Sequence, residues 1–177
     1  MSNYKVLWFD DEHATLEIIK DEALQHGIEL VGYENARDGI DELVKNYWFY
    51  DAVILDGLFF KDSKQKGDTV DNKAFGQVAN KLRELKAQGN IIPWFIFSGQ
   101  PSFVKEKNDL VEVLSEEQFA NGKVFDKNID EDLEELCKEI KNACDNIDSV
   151  RIKHQYHDSS PVLLECVDIN KYHLCMQ

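Results

Sequence analysis

Residues 50–56 read Tyr-Asp-Ala-Val-Ile-Leu-Asp, an unbroken apolar run closed by a carboxylate. Such a run has no polar side to turn toward water, the pattern of a strand buried on both faces of a parallel sheet. An aspartate at its carboxyl end sits in the crevice where open α/β sheets keep their chemistry. Two other apolar runs also end on polar groups: Lys5 to Asp11 and Ile91 to Ser98. A shorter one, 123–127, ends on Lys127. Three acids, a hydroxyl and an amine, each just past a hydrophobic run, form one constellation.

The rest of the chain fits around these runs. Tyr4–Phe9 reads as the first strand, and Glu12–His26 as a helix with Leu16, Ile19, Ala23 and Leu24 at helical spacing and Gly27 as its stop. Ile28–Tyr33 is a second strand, Ala36–Asn46 a second helix and Ala52–Leu55 the central strand. Residues 57–72 lose periodicity after Phe60 and read as a long charged loop. A third helix over about Lys73–Gln88, a strand at Ile91–Phe97, a helix within Phe103–Leu114 and a turn at 116–121 follow. A strand at Lys123–Phe125 and a helix over Asp130–Asn146, opening on acids as a helix N-terminus prefers, close the pattern. Strands alternating with helices predict a three-layer α/β sandwich on a parallel sheet, with right-handed crossovers gathering the strand ends at one edge. Residues 1–147 form this domain; 148–177 are a C-terminal extension, read as an added strand or helix at the sheet edge or as a homodimer contact.

The net charge of −14 lies wholly in residues 1–150, because residues 151–177 carry three side chains of each sign. Such a surface repels phosphate backbones, which argues against nucleic-acid binding by the domain. No apolar run approaches the roughly 20 residues that span a bilayer, and the N-terminus lacks a secretory signal pattern, so a cytoplasmic protein without membrane contact is expected. Cys137, Cys144, Cys166 and Cys175 make no C-x-x-C pair, and the first two read as buried free thiols on one helix face. His154, His157, Cys166, His173 and Cys175 match no closed zinc spacing. The three tryptophans read as core or partly buried aromatics.

Asp10, Asp11 and Asp56 converge at the carboxyl ends of the first and third strands. Carboxylates that close repel, and a hard divalent cation removes the penalty; an oxygen-only donor set with room for water suits Mg²⁺. Asp11 and Asp56 would hold the metal directly, Asp10 through water, with a backbone carbonyl just after Asp56 as a further ligand. One carboxylate can then attack phosphorus, Lys127 supplies a point charge to the phosphoryl oxygens, and Ser98 supplies a hydroxyl donor.

This pattern resembles the receiver domain of two-component response regulators. The acidic pair of F-D-D-E, the aspartate of V-I-L-D, the hydroxyl of F-S-G and the lysine of F-D-K stand in the family's order, and K-L-R-E-L leads into I-I-P-W-F-I-F-S-G as in receivers. The resemblance covers roughly residues 4–146. It implies a flavodoxin-like (CheY-like) five-stranded parallel sheet in the order 2-1-3-4-5. It also implies Mg²⁺ on Asp10, Asp11 and Asp56, and phosphorylation of Asp56 by a histidine kinase, a phosphotransfer protein or a small phosphodonor. Ser98 would switch, Lys127 would pair with the phosphoryl group, and the protein would catalyse nothing beyond its own phosphorylation and dephosphorylation. Its output would be a changed contact with a downstream protein on the face of the fourth helix, fifth strand and fifth helix.

The chain departs from the family in places. The loop after Asp56 is longer by roughly ten residues than receivers usually have, an unusual length for a structureless connection in a compact domain, and the stretch between Ser98 and Lys127 is also extended. Asn128 replaces the proline that usually follows the lysine, which questions the cis peptide, and Val124 holds the place of the switch aromatic. Leu58 and Gln100 occupy the positions two past Asp56 and Ser98, where an apolar and an amide side chain would hinder or orient an attacking water. Two other functions compete: a receiver-like binding module that works without phosphorylation, and a haloacid-dehalogenase-type phosphatase, which would have D-x-D where this chain has D-D-E.

Overall fold

The computed structural model describes residues 4–64, 72–100, 123–148 and 150. It contains a five-stranded, all-parallel sheet in the order β2-β1-β3-β4-β5, the expected three-layer arrangement. The strands are β1 (Tyr4–Phe9), β2 (Ile28–Tyr33), β3 (Ala52–Leu55), β4 (Trp94–Ser98) and β5 (Val124–Asp126). The helices are α1 (Glu17–Gln25), α2 (Ala36–Asn46), α3 (Asn72–Ala87) and α4 (Asp130–Asn146), with a 3₁₀ turn at Tyr47–Phe49. The chain divides into two compact units, Met1–Cys144 and Asp145–Gln177; of the second, only 145–148 and 150 are described. The expected helix within 103–114, the turn at 116–121, the zinc-like residues from His154 onward and the form of the extension lie outside the described residues. Among the described residues, no helix is long and apolar enough to cross a membrane.

Alternation along the buried strands sorts side chains onto two faces. Leu7 and Phe9 of β1, Val53 and Leu55 of β3, and Trp94 and Ile96 of β4 pack with Leu43 of α2 and Phe75, Val78, Ala79 and Leu82 of α3. Val6, Trp8, Ala52, Ile54, Phe95, Phe97 and Phe125 take the other parity and are all buried, as are Leu133, Leu136, Cys137, Ile140 and Cys144 of α4. Burial of each large side chain contributes about 1.5–3 kcal/mol. Phe9 shows how close the packing is: its ring lies 5.7 Å from that of Phe59, and a Cβ on Gly39 of α2 would meet it at 2.2 Å. Cys137 and Cys144 are buried free thiols, as expected, and burial pushes the Cys137 thiol up to about 11.

Several boundaries differ from the sequence reading, and the two largest differences, at the starts of α1 and β4, have local reasons. α1 starts at Glu17 rather than Glu12 because Asp10 captures the chain first. Its carboxylate accepts from the Glu12 N–H (2.8 Å), its carbonyl from the His13 N–H (3.3 Å), and the Glu12 carbonyl from the Thr15 N–H (2.8 Å). These turns consume the groups a helix would need. β4 starts after Pro93, which has no N–H to give the ladder, although its carbonyl still accepts from Val53 (2.9 Å). β4 also ends one residue later than expected, taking in Ser98, and β5 is shifted by one residue, to Val124–Asp126. The start of the long loop is pinned: Phe60 and Lys61 carbonyls accept from the Ala36 and Arg37 N–H groups (2.8 and 3.0 Å), and the Asn35 side chain accepts from Asp38 (2.9 Å), together satisfying the first turn of α2.

Candidate functional site

The site lies where β1, β3 and β5 end. Asp10 follows β1, Asp56 follows β3, and Lys127 follows β5. The order β1-β3-β4-β5 makes neighbours of residues separated by 71 and 117 positions: the Lys127 ammonium donates to Asp56 Oδ2 at 2.8 Å and to Asp10 Oδ2 at 2.5 Å. Asp11 completes the group, one carboxylate oxygen from each of the three acids lying within 4.8 Å of the others. Asp10 is fully buried and Asp56 is 5% exposed, so these charges face one another across little water.

Burial dominates the electrostatics. It pushes the Asp10 carboxyl up to about 6; the Asp56 charge pushes the same way, while Lys127 and the Glu12 N–H pull back. Burial likewise raises Asp11, with Asp56 adding to it. Desolvation alone would lower Lys127, but the carboxylates of Asp56 and Asp10 outweigh it and hold the ammonium above its ordinary value. The ammonium also stands 5.9 Å from the centroid of the buried Trp8 ring. One lysine against three acids leaves excess negative charge in a low-dielectric place. That donor set, all carboxylate oxygen and under-compensated, fits a hard divalent cation such as Mg²⁺.

Asp56 is oriented as well as paired. Its N–H donates to the Phe9 carbonyl (2.9 Å), and its Oδ1 accepts from the Gly57 N–H (2.6 Å). With Oδ2 on Lys127, the carboxylate plane is set from two sides. Of the five residues named from sequence, Asp10, Asp11, Asp56 and Lys127 form one cluster. Ser98 joins it through the backbone: it is buried at the end of β4, its carbonyl accepts the Lys127 N–H (3.3 Å), and its hydroxyl oxygen accepts from the Gln100 N–H (3.2 Å). Leu58 leans on the core cluster of the α2–α3 face, and Gln100 is exposed. Val124 packs toward that same α2–α3 face, whereas Phe125 is wholly buried with the opposite parity.

The Lys127–Asn128 bond is trans, since the described residues contain no cis peptide. Asn128 makes a turn of its own there. Its N–H and its Nδ2 both donate to Asp126 Oδ1 (2.9 and 2.8 Å), and Nδ2 also reaches the Gly99 carbonyl (3.3 Å). This turn had no place in the sequence reading beyond the missing proline. The D-x-N spacing of 126–128, an Asx-turn pattern, is the signal that could have revealed it.

No protein-family model matches the chain, and no curated protein matches it. Solved structures do. A response regulator receiver domain protein from Clostridium thermocellum is similar at 22% identity and a TM-score of 0.53, over 80% of this chain and 94% of that one. A CheY-like receiver domain protein from Methanospirillum hungatei shares 16% identity at a TM-score of 0.52, over 81% and 95%. Chemotaxis response regulator CheY4 of Vibrio cholerae shares 18% at 0.52, over 78% and 99%. With its strand order, these likenesses give the chain the CheY-like fold of response regulator receiver domains.

Proposed function

We propose that this protein is a phosphoacceptor receiver: Asp56 takes a phosphoryl group from a histidine kinase, a phosphotransfer protein or a small phosphodonor, and the change is passed on as an altered protein contact. The observation that carries this is the Lys127 ammonium bound to Asp56 and Asp10 with Asp11 beside them. An ordinary strand-end turn has no reason to bury such a group. Asp10, Asp11 and Asp56 would hold Mg²⁺, which when bound supplies charge neutralisation to the phosphoryl oxygens. Asp56 attacks phosphorus with one carboxylate oxygen; the new O–P bond forms as the donor's bond to phosphorus breaks, and the donor leaves with that electron pair. Lys127, already placed against Asp56, meets the charge on the transferred oxygens. Ser98, at the end of the neighbouring strand, offers its hydroxyl to another. The protein would act on no external substrate, in a cytoplasmic setting.

The test is exposure to acetyl phosphate with MgCl₂, read by intact mass. One added phosphoryl group, lost in Asp56→Asn, is expected. A second reading, a binding module that needs no phosphorylation, draws on Val124 standing where a receiver's switch aromatic is expected. Unchanged mass under these conditions would favour it. Turnover of a generic phosphate ester would instead point to a phosphatase.

A further inference from the structure

We infer that Asn128 is a positioning residue for Lys127, its side chain clamping the ends of β4 and β5 so that the ammonium is delivered to Asp56 and Asp10. The consequence for phosphoryl uptake rests on the phosphoacceptor reading above; the clamp itself does not.

Lys127 reaches the site on a long flexible side chain, so where its ammonium rests depends on how firmly its own backbone is held. Among the described residues, the main-chain bond that anchors it directly is the 3.3 Å contact from its N–H to the Ser98 carbonyl. The residues on either side do the rest. Asp126, nearly buried, receives two donors from Asn128 on one carboxylate oxygen, while its own N–H donates to Asp132 Oδ2 (2.7 Å) and its carbonyl accepts from Ile129 (3.1 Å). The same Asn128 amide crosses to the Gly99 carbonyl on the other strand end. Asn128 therefore ties together the residue before Lys127 and the residue after Ser98, across the trans peptide that follows the lysine. A Cβ on Gly99 would stand 3.5 Å from Asn128 Nδ2 and 3.7 Å from Lys127 Cβ, so the three lie in mutual contact. No other side-chain type of this size offers two donors on one nitrogen beside an uncharged acceptor.

The test compares the full chain with Asn128→Ala and Asn128→Asp. The first removes the clamp; the second keeps the shape and sets a carboxylate against Asp126. Lys127 is only 11% exposed and held by two carboxylates, so acetylation by a water-soluble N-hydroxysuccinimide ester, located by peptide mass spectrometry, reports its release. Labelling of Lys127 should rise by roughly three- to tenfold in Asn128→Ala, the population change that loss of about one net hydrogen bond allows, and further in Asn128→Asp. Initial uptake from acetyl phosphate with MgCl₂ should fall in the same order, with the melting temperature little moved because Asn128 is exposed. Unchanged Lys127 labelling overturns the inference whatever uptake does, and so does raised labelling with undiminished uptake. Raised labelling in a protein whose parent form takes up no phosphoryl group leaves the clamp standing and removes the phosphoacceptor reading instead.

Discussion

Two buried aspartates bracket the central strand, and they have opposite fates. Asp51, before β3, is 1% exposed; its Oδ2 accepts from the Lys5 N–H (2.7 Å), its own N–H donates to the Lys5 carbonyl (2.7 Å), and its carbonyl receives the Cys144 thiol (3.4 Å). Asp56, after β3, is almost as buried, yet it faces Asp10, Asp11 and Lys127. Burial is common to both, so burial does not make a site. What differs is company. At the amino edge of the sheet the Asp51 carboxylate accepts a backbone N–H of β1 and ties β3 to it; at the carboxyl edge Asp56 stands in a group of three carboxylates and one ammonium that leaves charge uncompensated, which a cation or phosphoryl group can exploit.

The largest expected effect separates the two outright. Asp56→Asn should abolish uptake from acetyl phosphate, whereas Asp51→Asn should retain it; loss in a folded Asp51→Asn protein would erase the distinction. Next comes pH. The Asp10 carboxyl goes from 3.8 in the unfolded chain to about 6 in the fold, so between those values the folded state binds the extra proton. Its contribution to stability is therefore greatest at low pH and declines as pH rises through about 6, by about 2–3 kcal/mol without divalent ions. The difference between the parent protein and Asp10→Asn in urea unfolding across that range isolates it, and saturating Mg²⁺ should offset the loss above pH 6. A flat difference curve would mean that the carboxyl edge carries no such strain. Asp51→Ala should lower stability by about 1–3 kcal/mol, because it leaves a partly buried Lys5 N–H without this acceptor, with Mg²⁺ binding unaltered. The smallest effect belongs to neither edge. A Cβ on Gly76, in α3, meets nothing within 4 Å, so Gly76→Ala should add about 0.5–1 kcal/mol and leave uptake alone.

Much of this was legible residue by residue. β1, β2, β3, α2 and α4 run as their patterns predict, because apolar runs and helical spacing are local properties. The acids and the lysine were legible for the same reason, each terminating such a run. The misjudged points are those where a side chain or a missing N–H overrode propensity: Asp10 delaying α1, Pro93 delaying β4, and Asn128 building its own turn after Lys127.

The sequence by itself determined which segments are strands and which polar residues stand at their ends, since the period of a hydrophobic pattern is written in neighbouring positions. Only the tertiary structure decided which of those ends meet. Asp51 and Asp56 are alike in type and burial, and it is the parallel order of the sheet that carries Lys127 to one of them, bringing together charges that lie 71 residues apart along the chain.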